Sequence, residues 1–351
     1  MHAILRGNHR ATILILLLGI LALCLLVATS LGSVSIPFLD VAKMSLNKIA
    51  LFDFTPSWRA VDETIIFQIR LPRVIGGVLV GAALATAGVL FQGLLRNPMA
   101  DPYIIGTSAG AALGATIAMM LPISLTFLSF GSVPIFAFCG ALATVLLVYN
   151  LARVGSKTPI VSMLLAGFAV SAMLAAVMFL MITMLGEMHP RVHSVYLFLM
   201  GGISVSDWGQ IAVIAPVIVG GIVLARLFAF HLNAFSLGEE GAAHVGIEVE
   251  RDKLIILALG SMLTAAAVSI SGLIGFVGLV VPHAMRLVLG PEHRLLLPAS
   301  ALAGGAFLVI ADLLARTLPS SGEMPVGIIT ALVGAPFFIY LLRHTRREYA
   351  F

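Results

Sequence analysis

Apolar residues run through this chain in long blocks, and polar residues are confined to the gaps. About ten apolar stretches can be read, over roughly 11–31, 74–95, 104–121, 133–152, 160–185, 208–230, 253–271, 273–289, 296–318 and 324–342. An upright helix needs about 20 residues to cross a bilayer, so several stretches fall short of a full span. The pattern predicts an all-α polytopic membrane protein with one transmembrane domain over 1–351. Residues 32–69 interrupt it: Pro37, Pro56, Trp58 and several charges predict an extracytoplasmic segment, outside the bilayer or lying on it. A second polar gap, 231–252, predicts a cytoplasmic loop.

Composition supports the membrane reading. The 351 residues are 60% hydrophobic and only 10% charged, with mean hydropathy +1.11. A soluble domain could not be covered by so little polar surface. The net charge of +4 does not point to nucleic acid, because the basic residues are scattered through short loops. With a cytoplasmic N-terminus, the inner loops carry Arg96, Arg153, Lys157, Arg226, Arg251, Lys253, Arg286 and Arg294. Arg343, Arg346 and Arg347 then place the C-terminus on the same side, as the positive-inside rule requires. The first apolar run is too long for a signal-peptide core and reads as an uncleaved helix. Cys24 and Cys139 lie in apolar runs and read as core residues, with no metal spacing.

Against that charge trend, Arg70, Arg73, Arg191 and Arg316 fall on the outer side. They suggest an acidic partner there; contact with lipid headgroups is the plainer alternative. Inside the spans charge is nearly absent, Asp312 being the main exception. Ion-coupled carriers usually need intramembrane carboxylates or histidines as relays, so this scarcity argues for a driving force delivered from outside the membrane.

The loop at 231–252 contains the island Ser236-Leu237-Gly238-Glu239-Glu240-Gly241-Ala242-Ala243-His244-Val245-Gly246. Ser236 and Glu239 have capping-box spacing and Gly246 suits a helix stop, which predicts a surface helix of about two or three turns. It is either a solvated connector or a docking surface for a soluble partner.

Other motifs are weaker. Gly106-Thr107-Ser108-Ala109-Gly110 has nucleophile-elbow spacing but opens an apolar helix with no evident acid or base partners. In Gly155-Ser156-Lys157-Thr158 a serine stands where a phosphate-binding loop needs its second glycine. The 160–185 stretch carries Met163, Met173, Met178, Met181 and Met184, usual core filler that could also line a path for a bulky solute. His189 and His193 could contact haem iron but are more simply loop residues. Gly88-x-x-Phe91-x-Gly93-Leu94 echoes Gly272-x-x-x-Phe276-x-Gly278-Leu279, each followed by a proline, as an inverted repeat would.

Three blocks taken together resemble the FecCD-type permeases of ATP-binding-cassette importers, which carry ferric siderophores, haem and cobalamin. The first runs from Arg70-Leu71-Pro72-Arg73 through Arg96-Asn97-Pro98-Met99-Ala100-Asp101-Pro102 to Gly110-Ala111. The second is the polar island. The third runs from Gly275-Phe276-Val277-Gly278-Leu279-Val280-Val281-Pro282-His283 through Ala311-Asp312 and Arg316 to Gly334-Ala335-Pro336. The resemblance implies a type II importer fold and a homodimeric permease that works by alternating access at the dimer interface. Its partners would be two cytoplasmic ATPase subunits, which bind ATP and Mg, and one extracytoplasmic substrate-binding protein. This chain would itself bind no cofactor and catalyse no reaction.

Carried over by residue, Arg70, Arg73 and Arg316 would meet acidic residues of the binding protein. Ser236, Leu237, Gly238, Glu239, Glu240, Ala242, Ala243, Val245 and Gly246 would form the helix that couples to the ATPase. Thr158, Pro159, Ile160, Val161 and Ser162 match the cytoplasmic gate, with Met173 and Met181 along the path. Pro159-Ile160 departs from the small hydroxyl residues of the cobalamin permease. The resemblance favours a ferric siderophore first, cobalamin second and haem third. The alternative is an ion-coupled secondary transporter.

Overall fold

A computed structural model describes residues 7–32, 34, 36–48, 54–55, 58–121, 123–185, 191–205, 207–319 and 322–344. The elements are, in chain order, α1 (Gly7–Ser30), α2 (Phe38–Lys48), α3 (Ala60–Thr64), a π-helical turn (Ile65–Arg70) and α4 (Leu71–Leu94). Next come α5 (Thr107–Met120), a hairpin of β1 (Thr126–Phe127) and β2 (Phe130–Gly131), α6 (Ser132–Ala152) and α7 (Ile160–Leu185). They continue with α8 (Val192–Met200), α9 (Trp208–Leu227), α10 (Ala229–Phe235), α11 (Glu239–His244) and α12 (Val249–Ser271). The last three are α13 (Val277–Leu289), α14 (His293–Thr317) and α15 (Val326–His344).

Among the described residues, seven helical stretches are long and apolar enough to span a bilayer, and three apolar helices are shorter. Their positions follow the ten apolar blocks, and α7 has the bounds read from the sequence. Residues 60–69 of the polar segment are helical and run without a break into α4, so that Ala60–Leu94 forms one helical stretch of 35 residues. The π-helical turn joins its two parts.

The centre of the bundle is α4, which is buried almost throughout. Its sequence explains this, since five glycines and four alanines among its 24 residues let neighbouring helices approach closely. A Cβ on Gly81 would strike the backbone of Gly304 in α14, and one on Gly88 would strike Gly278 in α13. In lipid no hydrophobic force drives helices together, so close backbone approach of this kind supplies dispersion contact instead. Gly110, Gly114 and Gly140 do the same between α5 and α6. The two echoing segments therefore meet in space. Gln92 Nε2 also donates to Leu279 O at 3.2 Å.

The short helices α5 and α13 each follow a stretch of irregular backbone. These stretches hold left-handed residues: Arg96 and Gly106 before α5, Gly272 and Phe276 before α13. Non-helical backbone within a membrane protein must find partners inside the protein. Here Gly202 N donates to Ser271 O at 2.7 Å, Ser204 N to Ile270 O at 2.9 Å and Leu273 N to Phe198 O at 3.0 Å. The Tyr103 hydroxyl, from the other irregular stretch, donates to Ile274 O at 3.1 Å.

Candidate coupling site and outer ion network

The polar island stands at the end of the bundle where α4 ends and α12 and α14 begin. Its approach is the short helix α10, whose Leu232 and Phe235 are fully buried. Asn233 ties α10 to the start of α14. Its Oδ1 accepts from the His293 backbone N at 3.0 Å and lies 2.7 Å from His293 Nδ1. Asn233 thus satisfies one of the orphan donors at the N-terminus of α14 from a distant part of the chain.

The capping box expected at Ser236 and Glu239 does not form. Ser236 closes α10 instead, its Oγ donating to Asn233 O at 2.6 Å. The N-cap of α11 is Gly238, with φ +92° and no side-chain bond. The chain must turn sharply between two short helices there, and that backbone conformation favours glycine. The island helix has six residues, less than the two or three turns expected. The predicted stop at Gly246 is correct. Gly246 has φ +88°, its N donates to Ala243 O at 3.0 Å, and Ile247 N donates to Ala242 O at 3.1 Å. That pair of bonds is a Schellman end, and the buried side chains of Ala242 and Ile247 supply its usual apolar contact.

The island divides into an inner and an outer face. Ala242 is fully buried. Glu239 turns inward to Lys253, Oε1 lying 2.7 Å from Nζ. Leu237 is 65% exposed and Val245 51% exposed, with Glu240, Ala243, His244 and Gly246 also outward. The available surface is therefore small, mixed apolar and acidic, and rigidly mounted.

Beside it lies the segment expected to gate. Val154 and Lys157 close a tight turn through two backbone bonds of 2.9 and 3.2 Å, with Gly155 at φ +64°. Gly155-Ser156-Lys157 is thus a turn and not a phosphate cradle. Thr158 is buried, and its backbone N donates to Glu250 Oε2 at 2.9 Å. Glu250 Oε1 accepts from Lys253 Nζ at 3.0 Å. Pro159 and Val161 are exposed, while Ile160 and Ser162 are half-buried. The methionines of α7 do not form one stripe. Met163 and Met178 are buried, Met181 is half-buried, and Met173 and Met184 are 53% and 74% exposed.

At the opposite end Arg70, Arg73 and Arg316, expected to dock a binding protein, are each bonded within the chain. Arg70 is 6% exposed and donates through Nη1 to Thr29 O at 3.0 Å and Ser30 O at 2.9 Å, and through Nη2 to Val34 O. A helix leaves its last carbonyls without partners, and Arg70 supplies donors to those of α1. Gly32 makes room, because a Cβ there would meet the guanidinium. Arg316 Nη2 donates to Ala28 O at 3.2 Å, and its Nε lies 2.9 Å from Asp312 Oδ2. Arg73 pairs with Asp312 at 3.0 Å and Glu323 at 2.8 Å, keeping about a fifth of its side chain exposed. Asp312 stands out in the sequence as an intramembrane charge, but its partners Arg73 and Arg316 become visible only in the packed bundle. Asn233, Glu250 and Lys253 carry no local signal as binding groups, because partners of each lie on other elements. His193 is exposed, and His189 lies outside the described residues. Ser108 is half-buried in the first turn of α5.

A profile of the FecCD transport family matches residues 20–344. The cobalamin import system permease protein BtuC of Halobacterium salinarum is 49% identical over 80% of this chain and 74% of its own length. The hemin transport system permease protein HmuU of Yersinia pestis is 40% identical over 95% and 97%. A solved chain in an inward-facing conformation, assigned to the metal-chelate type of ABC transporter, superposes with TM-score 0.82 at 29% identity, covering 95% of this chain and 99% of that one.

Proposed function

The chain belongs to the FecCD transport family, and from that premise we propose how it works. It is a multi-pass permease subunit of an ATP-binding-cassette importer and not an enzyme. Its cargo is a bulky metal chelate. The 49% identity to a cobalamin permease moves cobalamin to the front, ahead of the ferric siderophore favoured by family breadth, with haem third. The observation that carries the mechanism is the surface of α11 and its flanks. Glu240 and Ala243 of α11 and the flanking Leu237 and Val245 project outward, while Ala242 and Glu239 fasten α11 to the bundle and Asn233 fastens the preceding α10.

This surface docks a cytoplasmic ATPase, and movement of the ATPase pair on binding ATP is passed into the bundle. ATP and Mg belong to that partner; this chain holds no cofactor. Both termini lie on the cytoplasmic side with α11. Arg10 near the start of α1 supports that placement, since it pairs with Glu292 at the α11 end at 3.1 Å. Two copies of the chain form the permease, in a single transmembrane domain each, and the path opens alternately at their interface. The apolar face of α7, where Val161, Leu165, Phe168 and Met173 are exposed, suits that role. A binding protein docks at the opposite end, where Arg73 is the most accessible of the three arginines.

The decisive experiment is uptake of labelled cobalamin, ferric siderophore and haem by cells with and without this chain. Uptake of one of them that requires the chain and stops on ATP depletion is the expected result. Uptake that ignores ATP depletion but collapses with a protonophore would favour the ion-coupled alternative. Asp312 argues against that alternative, because it is 1% exposed and bonded to two arginines, which leaves no free carboxylate for a relay at that position.

A further inference from the structure

Lys253 holds together two segments that are far apart in sequence. Its ammonium lies 2.7 Å from Glu239 Oε1 in α11 and 3.0 Å from Glu250 Oε1 in its own helix. The other Glu250 oxygen accepts the Thr158 backbone N at 2.9 Å, immediately before α7 begins. A continuous run of bonds therefore leads from α11 through Lys253 and Glu250 to the start of α7. Its cation and its far end are buried, the Lys253 side chain being 9% and Thr158 6% exposed, while the Glu239 and Glu250 side chains reach the surface at 42% and 34%. The neighbouring residue repeats the design more weakly. Asp252, also buried, lies 3.6 Å from His231 Nε2 in α10. The first turn of α12 thus grips both helices of the coupling loop and the entry to α7.

We propose that Lys253 and Glu250 are positioning residues that transmit displacement of α11 to the 158–162 segment. This rests on the reading of α11 as the ATPase-docking element. Buried charge contributes little net stability, because desolvation offsets attraction, but it fixes geometry, and breaking one partner leaves a costly unpaired charge. Charge-assisted bonds to a backbone N–H are also short and directional. A rigid shift of α11 would be resisted at Lys253 unless the Thr158 end moved with it. Apolar packing also joins these elements, with Ala242, Leu257 and Met163 in one buried cluster, but the ion-paired run is the directional part of the link.

The test uses the full importer in proteoliposomes with its ATPase. Cys24 and Cys139 are replaced by alanine, and Val161→Cys reports on the gate. The probe is a water-soluble maleimide, and its rate of reaction is compared without nucleotide and with vanadate-trapped ATP. With the link intact, trapping is expected to change the rate. In Lys253→Met and in Glu250→Gln the change should shrink by roughly tenfold while ATP hydrolysis stays within about twofold. Lys253→Arg should keep it. An undiminished change in Lys253→Met or Glu250→Gln overturns the proposal, as does no change with the link intact. Loss of ATPase binding in these variants also overturns it, because the bonds would then serve docking and not transmission. If the unaltered chain fails to retain an ATPase, the docking reading itself is what fails. Glu250→Gln carries the test should Lys253→Met not assemble, since it keeps the shape of the side chain.

Discussion

Arg316 and Asp312 stand one helical turn apart in α14, with Nε 2.9 Å from Oδ2, and both are buried. Asp312 uses its other oxygen for Arg73, at 3.0 Å. One buried carboxylate thus neutralises two guanidinium groups on different helices. Asp312→Asn should leave Arg316 buried without a counter-charge and cost about 3–5 kcal/mol. The check is thermal unfolding of the purified protein in detergent. Arg73→Gln should cost less, because Arg73 is more exposed and Arg316 still holds Asp312. Equal losses in the two variants would contradict this arrangement.

Arg70 behaves as a helix terminator supplied from another part of the chain. Arg70→Met should strand Thr29 O, while Ser30 O keeps the Ile36 N–H, and lower stability by about 1–3 kcal/mol. It should leave the salt sensitivity of binding-protein capture unchanged, because the side chain is buried. Capture measured across a salt series decides between this role and the docking role expected from sequence. A defect that is largest at low salt and shrinks as salt rises would restore the docking role.

Gly81 and Gly304 mark the closest approach of α4 and α14, each blocking a Cβ on the other. Gly81→Ala should force the helices apart and cost about 1–3 kcal/mol. Gly19, also helical, has nothing near a would-be Cβ. Gly19→Ala should be neutral or add up to about 1 kcal/mol from helix propensity. Parallel melting curves for the two variants test the contrast.

The two glutamates of the island should separate. Glu240→Lys changes only the outward surface and should weaken ATPase retention while the protein remains as stable as before. Glu239→Lys places a second ammonium beside buried Lys253 and should lower stability as well. Leu237→Ser removes a 65%-exposed apolar contact and should weaken retention by roughly tenfold if it lies at the centre of the docked surface. Co-purification of the ATPase, read together with melting temperature, distinguishes these effects.

The sequence alone determined the class of protein and most of its helices. The apolar blocks are local and long, and a bilayer imposes a minimum length that composition must meet. The stop at Gly246 was equally legible, because a Schellman end is built from neighbouring residues. The start of that helix was not. Ser236 and Glu239 have the right spacing, but Ser236 bonds backward to Asn233, and Glu239 is claimed by Lys253. Tertiary structure also decided the fate of the arginines. Loop position marked Arg70 and Arg73 as outward charges, yet their partners lie 41 and 239 residues away. A local pattern records which groups a segment carries. Whether a charge faces a partner protein or caps a distant helix depends on which chain ends the packed bundle brings together.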